Sequence, residues 1–157
     1  MEFTFSEDQQ ELRRAARRFL EVESSEERVR AAMASAHGYD PAVWQQLAEE
    51  LAWTALTIPE SYGGLGMGYL DLHPLMEEMG RTLLCSPFFS TVCLGANALL
   101  MAGSEELKQA NLPAIAAGER TATLAYDEKN RLQGPDAIQA TYRREGNEYV
   151  LRGAKHY

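Results

Sequence analysis

Residues 59–68 read PESYGGLGMG, with glycines at 63, 64, 66 and 68 directly after the apolar run Ala55-Leu56-Thr57-Ile58. Whether this loop cradles a phosphate or only bends decides if the first half of the chain is a cofactor domain or a helical scaffold. A dinucleotide fingerprint needs a strand, Gly-x-Gly-x-x-Gly, a helix and an acidic residue about twenty positions on. Gly64-Leu65-Gly66-Met67-Gly68 has the wrong final spacing, and the segment before it reads as a helix ending near Trp53. No Gly-Lys-Ser/Thr follows, which excludes a P-loop. Read from its residues, PESYGGLGMG is a helix–helix connection whose glycines supply positive φ and close approach.

Upstream of the loop the grammar is helical. Ser6 with Gln9 is a capping-box pattern ahead of Leu12, Ala15, Ala16, Phe19 and Leu20, which recur at helical spacing. Ser24 with Glu27 repeats the signal before Val29, Ala32 and Met33. Asp40-Pro41 is a cap followed by a first-turn proline, and Trp44, Leu47, Ala48 and Leu51 form the next stripe. Downstream, Leu72, Leu75, Met76, Met79 and Leu83 predict a fourth helix. Ser86-Pro87 opens a fifth, running to Met101 and apolar nearly all round, as expected of a helix buried in a bundle. Gly103-Ser104 starts a sixth, broken near Pro113 and ended by Gly118.

After residue 120 strand formers take over, in Thr121 to Tyr126 (TATLAY) and in Tyr149-Val150-Leu151. Arg144-Glu145-Gly146-Asn147 between them reads as a hairpin turn. Two or three strands neither close a barrel nor bury two faces. The expected fold is therefore mainly α. An N-terminal up-and-down bundle of about six helices spans residues 1–120. Residues 121–157 are the first strands of an incomplete β-barrel domain.

The totals narrow the function. Among 157 residues, 45% are hydrophobic and 24% charged, which argues against disordered and membrane classes. A net charge of −8 argues against nucleic acid as a partner. Arg13, Arg14, Arg17 and Arg18 alternate with apolar residues and read as a solvated helix face. Cys85 and Cys93, placed on one helix, lie about 12 Å apart along its axis, too far for a disulfide. Two free thiols suit a reducing cytoplasm. The start MEFTFSEDQQ has neither the basic flank nor the apolar core of a signal peptide. Val92 to Ala102 falls short of the roughly 20 residues that span a bilayer. A cytoplasmic chain without a membrane span is expected.

Chemistry-bearing patterns are sparse. His37, His73 and His156 are isolated, so no metal site is expected. Glu77 and Glu78, neighbours on a helix, point about 100° apart and cannot form a facing carboxylate dyad. No Gly-x-Ser-x-Gly elbow occurs. The residues by themselves give no complete catalytic constellation.

The order of segments, however, resembles the flavin-dependent acyl-CoA dehydrogenase family. FTFSEDQQELRRAARRFLE, W-x-x-L-A-E, IPESYGGLGMGYLDLHPLMEEMGR, GSEELKQANLPAIAAGERTATLAYDE and NEYVLRGAKHY follow in the family's order through essentially all 157 residues. The resemblance implies that PESYGGLGMG joins the third and fourth helices of the N-terminal helical domain and is not the FAD loop. It also implies FAD as cofactor and an acyl-CoA thioester as substrate, desaturated between the α and β carbons. The catalytic glutamate of most members lies in a C-terminal domain, beyond Tyr157. An electron-transfer flavoprotein or similar acceptor, and a homodimer or homo- or heterotetramer, are the implied partners.

Site residues carry over position by position. The family's Thr-Glu-Pro stretch at the end of the first barrel strand reads Tyr126-Asp127-Glu128, with Glu128 on the family's glutamate and Asp127 in place of the flavin-bonding threonine. The Gly-Ser-Asp turn near the pyrophosphate or acyl-CoA entrance reads Gly134-Pro135-Asp136, where proline removes a hydroxyl and an N–H. Gly153-Ala154-Lys155-His156-Tyr157 matches the Gly-x-Lys-x-Trp stretch whose aromatic packs on the flavin, a role that falls to Tyr157. The resemblance thus assigns Tyr126, Asp127 and Tyr157 to the cofactor, and Gly134 and Pro135 to the substrate. Two alternatives stay open, the first suggested by Asp127 and Pro135 and the second by the fold, which hosts several reactions. One is a non-catalytic partner subunit or binding module; the other is a flavin oxidase or monooxygenase on the same fold.

Overall fold

The computed structural model describes residues 4–128 and 138–156. They form two compact units, one ending at Thr123 and one beginning at Leu124.

The first unit is helical, and its helices start where the caps demand. Helix α1 (Glu7–Glu23) opens at Ser6, whose hydroxyl accepts the Gln9 N–H at 3.2 Å while the Gln9 side chain accepts the Ser6 N–H at 3.0 Å. Helix α2 (Glu26–Ala34) is capped by Ser25 rather than Ser24. Ser24 is already committed: its N–H closes α1 on the Leu20 carbonyl and its hydroxyl donates to the Thr82 carbonyl at 3.1 Å. Asp40 accepts the Ala42 N–H at 2.9 Å and starts α3 (Pro41–Gln45), which widens into a π-helical stretch, Gln46–Glu50.

Two short 3-10 turns, Trp53–Ala55 and Glu60–Tyr62, lead through the glycine-rich connection to α4 (Tyr69–Arg81). A second π-helical stretch, Phe89–Ala96, continues as α5 (Asn97–Ala102), and α6 (Glu105–Ala116) closes the unit. The break expected at Pro113 does not occur. Proline forfeits its own N–H, but it stands in the last turn and its carbonyl still accepts the Ala117 N–H at 3.0 Å.

The main core gathers Ala16 and Leu20 of α1, Leu72, Leu75 and Met79 of α4, and Trp44, Leu47, Phe88 and Val92 from the elements between and after them. A second cluster holds Ile58, Ala96, Leu112 and Ile115. The segment Phe89–Ala102 is not buried all round. Thr91, Val92, Gly95 and Ala96 face the core, whereas Phe89 is 55% and Met101 87% exposed.

Helices α1 and α4 lie side by side in parallel, because Gln9 meets Asp71, Arg13 and Arg17 meet Glu78, and Glu21 meets Arg81. The arginine face is solvated as expected, but Arg13 and Arg17 also turn inward to a buried partner. Glu78 has a side chain only 1% exposed, and a buried carboxylate is costly unless paired. Arg17 grips it with both Nη2 (2.6 Å) and Nε (3.1 Å). Arg81 Nε donates at 2.7 Å and Arg13 Nε at 3.1 Å. Arg14 and Arg18 remain on the exposed side.

Among its described residues the second unit holds one antiparallel hairpin, β1 (Thr141–Glu145) and β2 (Glu148–Arg152), with Tyr142 opposite Leu151 and Arg144 opposite Tyr149. Gly146 turns it with φ +64°. TATLAY, expected as a strand, joins no ladder. Strand formers pair only when a neighbouring strand offers them a ladder. Here Ala122 donates its N–H to the Thr91 hydroxyl at 3.2 Å, inside the first unit. Gly95 makes that crossing possible, since a Cβ there would fall 2.5 Å from the Ala122 Cβ.

Glu78 predicts a pH signature. Its arginine hydrogen bonds, Arg17 first, then Arg81 and Arg13, outweigh the desolvation that opposes them and hold its carboxyl down at about 2, against an ordinary 4.5. A depressed folded value means stabilisation that is complete above pH 4.5 and drains away as the pH falls toward 2. Glu78→Leu is expected to cost about 3 kcal/mol at neutral pH. In urea titrations the wild-type and variant stabilities should converge across that acid window; parallel curves would remove the clamp from the account.

Candidate functional site

The glycine-rich connection is a packed corner. Every backbone N–H from Tyr62 to Gly68 is spent inside the protein. Tyr62 and Gly64 donate to Pro59, Gly63 to Glu60, Leu65 to Ala55, Gly66 to Ile58 and Met67 to Leu56, at 2.9 to 3.2 Å. The Gly68 N–H goes to Asp71 Oδ2 at 2.9 Å. A phosphate cradle works by aiming unpaired N–H groups at the ligand, and this loop keeps none from 62 to 68. Its glycines answer geometry: Gly63 and Gly66 have φ of +81° and +63°, and a Cβ on Gly64 would stand 1.9 Å from the Ile58 carbonyl oxygen.

The residues nominated for cofactor and substrate divide in two. Gly134, Pro135 and Tyr157 lie outside the described residues. Tyr126 and Asp127 are described, and both are exposed, the tyrosine at 46%. Their carbonyls are tied down. Lys155 Nζ donates to the Tyr126 carbonyl at 3.1 Å, and the His156 N–H donates to that of Asp127 at 2.9 Å. The structure thus brings the Tyr126–Asp127 edge beside the Lys155–His156 stretch that precedes Tyr157.

At the junction stands Glu128, with a side chain 14% exposed. Oε1 accepts from Lys155 Nζ and from the Ala140 N–H, each at 2.9 Å, and Oε2 accepts from the Gln139 N–H at 2.8 Å. The lysine first, then the two amides, pull its carboxyl down to about 2. Glu128 and Lys155 stand in two separate stretches of the sequence, and only the fold shows that they bind one another. Opposite charges in two aligned stretches were the available signal.

Elsewhere, an apolar groove lies where α4 ends and the Phe89–Ala96 stretch begins, lined by Met76, Met79, Leu83, Leu84, Phe88 and Phe89. Cys93 is half-buried near it, its Sγ 4.0 Å from Met76 Sδ, and burial pushes its thiol up. Both cysteines are free. Among the described residues, no helix is long and apolar enough to cross a membrane.

Comparison with known proteins agrees with this architecture. The family described as Acyl-CoA dehydrogenase, N-terminal domain, matches residues 6–119. The chain is 36% identical over 129 residues to acyl-CoA dehydrogenase IpdE2 of Mycolicibacterium smegmatis, covering 82% of this chain and 40% of that protein. It is 30% identical over 156 residues to mitochondrial isovaleryl-CoA dehydrogenase of Pongo abelii, covering 97% and 36%. Among solved structures, the ChsE4-ChsE5 complex from Mycobacterium tuberculosis superposes with a TM-score of 0.85 at 28% identity, over 99% of this chain and 41% of that one. The chain therefore spans about two-fifths of the length of the curated relatives it matches.

Two observations test the corner. Gly64→Ala is expected to destabilise the helical unit by at least about 2 kcal/mol, because the clash is with backbone that cannot swing away. In hydrogen exchange, the amides of Leu65, Gly66 and Met67 should be protected and should not respond to added FAD or inorganic phosphate. A ligand-induced change at those three amides would restore the phosphate reading.

Proposed function

The chain belongs to the acyl-CoA dehydrogenase family, and on that premise we propose that the whole protein is an FAD-dependent oxidoreductase that introduces a double bond between the α and β carbons of an acyl-CoA thioester. Residues 1–120 are then its N-terminal helical domain and 121–157 the beginning of its middle β domain. One observation carries the reading: the family match over residues 6–119 belongs to a likeness that runs, in order, through 99% of the chain.

Of the two described site residues, Tyr126 suits a flavin ring, and Asp127 can accept its hydrogen bonds but carries a charge that disfavours its reduced form. An exposed tyrosine ring offers a flat apolar face, and its neighbouring carboxylate offers acceptors for hydroxyl or N–H donors. Tyr126 and Asp127, with Tyr157 from the family pattern, are the groups that would hold it. FAD supplies the acceptor for the hydride that leaves the β carbon. What this chain contributes is a fixed edge: the carbonyls of 126 and 127 are already bonded, and the exposed side chains of Tyr126 and Asp127 are left to meet a ligand. The acyl thioester is the substrate class, an electron-transfer flavoprotein or equivalent the onward acceptor, and a homo- or hetero-oligomer the assembly.

A second reading, a partner subunit that has given up its own flavin, is favoured by Asp127, where the family places a hydroxyl, and by Pro135. The similar ChsE4-ChsE5 structure is a complex of two proteins. Under this reading the chain co-purifies with a second family member, and turnover needs both.

The absorbance of the purified full-length protein separates the two. Bound FAD that is bleached by an acyl-CoA under anaerobic conditions is the expected result; oxygen consumption during turnover would mark an oxidase instead. A colourless protein that takes up no added FAD would defeat the first reading and leave the second. Asp127→Thr removes a negative charge that disfavours reduced flavin. It is expected to raise the flavin potential by about 30 mV, which for two electrons is about 1.4 kcal/mol.

A further inference from the structure

The Tyr126–Asp127 edge bears the proposed cofactor groups, yet it belongs to no strand ladder. What fixes it is a small set of bonds centred on two charged side chains. Glu128 joins three chain segments at once, through Lys155 and the amides of Gln139 and Ala140. Lys155 in turn reaches past Glu128 to the Tyr126 carbonyl, two residues back. The His156 N–H completes the set on Asp127. These bonds register residues 126–128 against the segments that enter and leave the hairpin.

We infer that Glu128 and Lys155 are a positioning pair, whose ion pair and shared backbone bonds set where Tyr126 and Asp127 stand relative to residues 155–156 and so shape the edge that receives the cofactor. The inference rests on the flavin reading for its consequence, but not for its geometry. Three features support it. Glu128 is mostly shielded although it carries charge, which favours a partner that is always present. Its carboxylate accepts from two consecutive amides, Gln139 and Ala140, a geometry that fixes a backbone as well as a charge. Lys155 divides its donors between that carboxylate and a main-chain carbonyl of the edge itself, so moving the lysine moves the edge. The role inferred for the pair is exerted through Tyr126 and Asp127, the residues whose backbone it holds.

The test uses Glu128→Gln, Lys155→Met and Lys155→Arg in the full-length protein, with two readouts. Hydrogen exchange at the amides of Gln139, Ala140 and His156 needs no flavin. FAD affinity, with the visible circular dichroism of bound FAD, reports the edge. Lys155→Met is expected to speed exchange at His156, and Glu128→Gln at Gln139 and Ala140. Both should weaken FAD by about tenfold, the worth of one charged hydrogen bond, and alter its dichroism. Lys155→Arg should restore most of both.

Unchanged exchange in both variants would overturn the pair. Faster exchange with unchanged FAD affinity and dichroism would overturn its positioning role. A general loss of structure is distinguished by exchange in α1 and α4, which should stay at wild-type rates; acceleration there as well would count the pair as merely structural and overturn the proposal. A wild-type protein that binds no FAD would instead defeat the cofactor reading, and the exchange result alone would then decide for or against the pair.

Discussion

An ionised carboxylate whose side chain is 1% exposed sets the terms for the helical unit. Glu78 cannot stand inside the α1–α4 contact unless guanidinium groups reach it, and they reach it from both helices, Arg13 and Arg17 on one and Arg81 on the other. That requirement fixes more than a charge. Arg13 and Arg17 are one helical turn apart, so gripping a single carboxylate sets both the rotation and the stagger of α1 on α4. The apolar residues on the same faces, Ala16, Leu20, Leu75 and Met79, then meet each other in one register. At the far end of the pair the same stagger lets Gln9 bridge to Asp71, and Asp71 caps α4 through Gly68.

From that pair the rest of the unit is built by close approaches. The 59–68 corner must fold its backbone against Ala55–Ile58, and it does so by spending its amides on those carbonyls. Glycine at 64 is the condition for that contact, since the space of a Cβ is filled by a carbonyl oxygen. The same economy recurs at Gly118, which takes φ +73° at the end of α6, where a Cβ would meet that of Ala48 and where the Trp44 indole donates to the Gly118 carbonyl at 2.8 Å. It recurs at Gly95, over which residues 122 and 123 cross. Nearby, Thr54 donates to the Ala116 carbonyl at 2.7 Å and ties the end of α6 to the central turn. Glycines and buried hydroxyls together bring this chain back across its own helices.

The second unit works on a different principle. A two-stranded hairpin with most side chains exposed has little apolar burial to hold its neighbours, so the approach of residues 126–128 depends on polar bonds. One carboxylate and one ammonium supply them. As at Glu78 in the helical unit, a paired carboxylate sets the register, but here little apolar packing stands beside it.

What the sequence determined by itself was local and periodic. The caps at Ser6, Asp40 and Ser104, the apolar stripes of α1 and α4, and the turn at Gly146 depend on residues within a few positions of each other, so a single chain read in order displays them. The order of five segments also carries the family resemblance without reference to any tertiary contact. Tertiary structure decided whatever required two distant segments to meet. Ser24 lost its cap to Ser25 because Thr82, far along the chain, claimed its hydroxyl. Arg13 and Arg17 became partners of a buried carboxylate, while staying partly exposed, because Glu78 lay opposite. TATLAY formed no strand because a ladder is a property of two strands and not of one. Glu128 and Lys155, 27 positions apart, became partners only once the hairpin had folded the chain back between them. A side chain's chemistry is written in the sequence, but its burial and its partner are set by the fold, and both decide what that chemistry does.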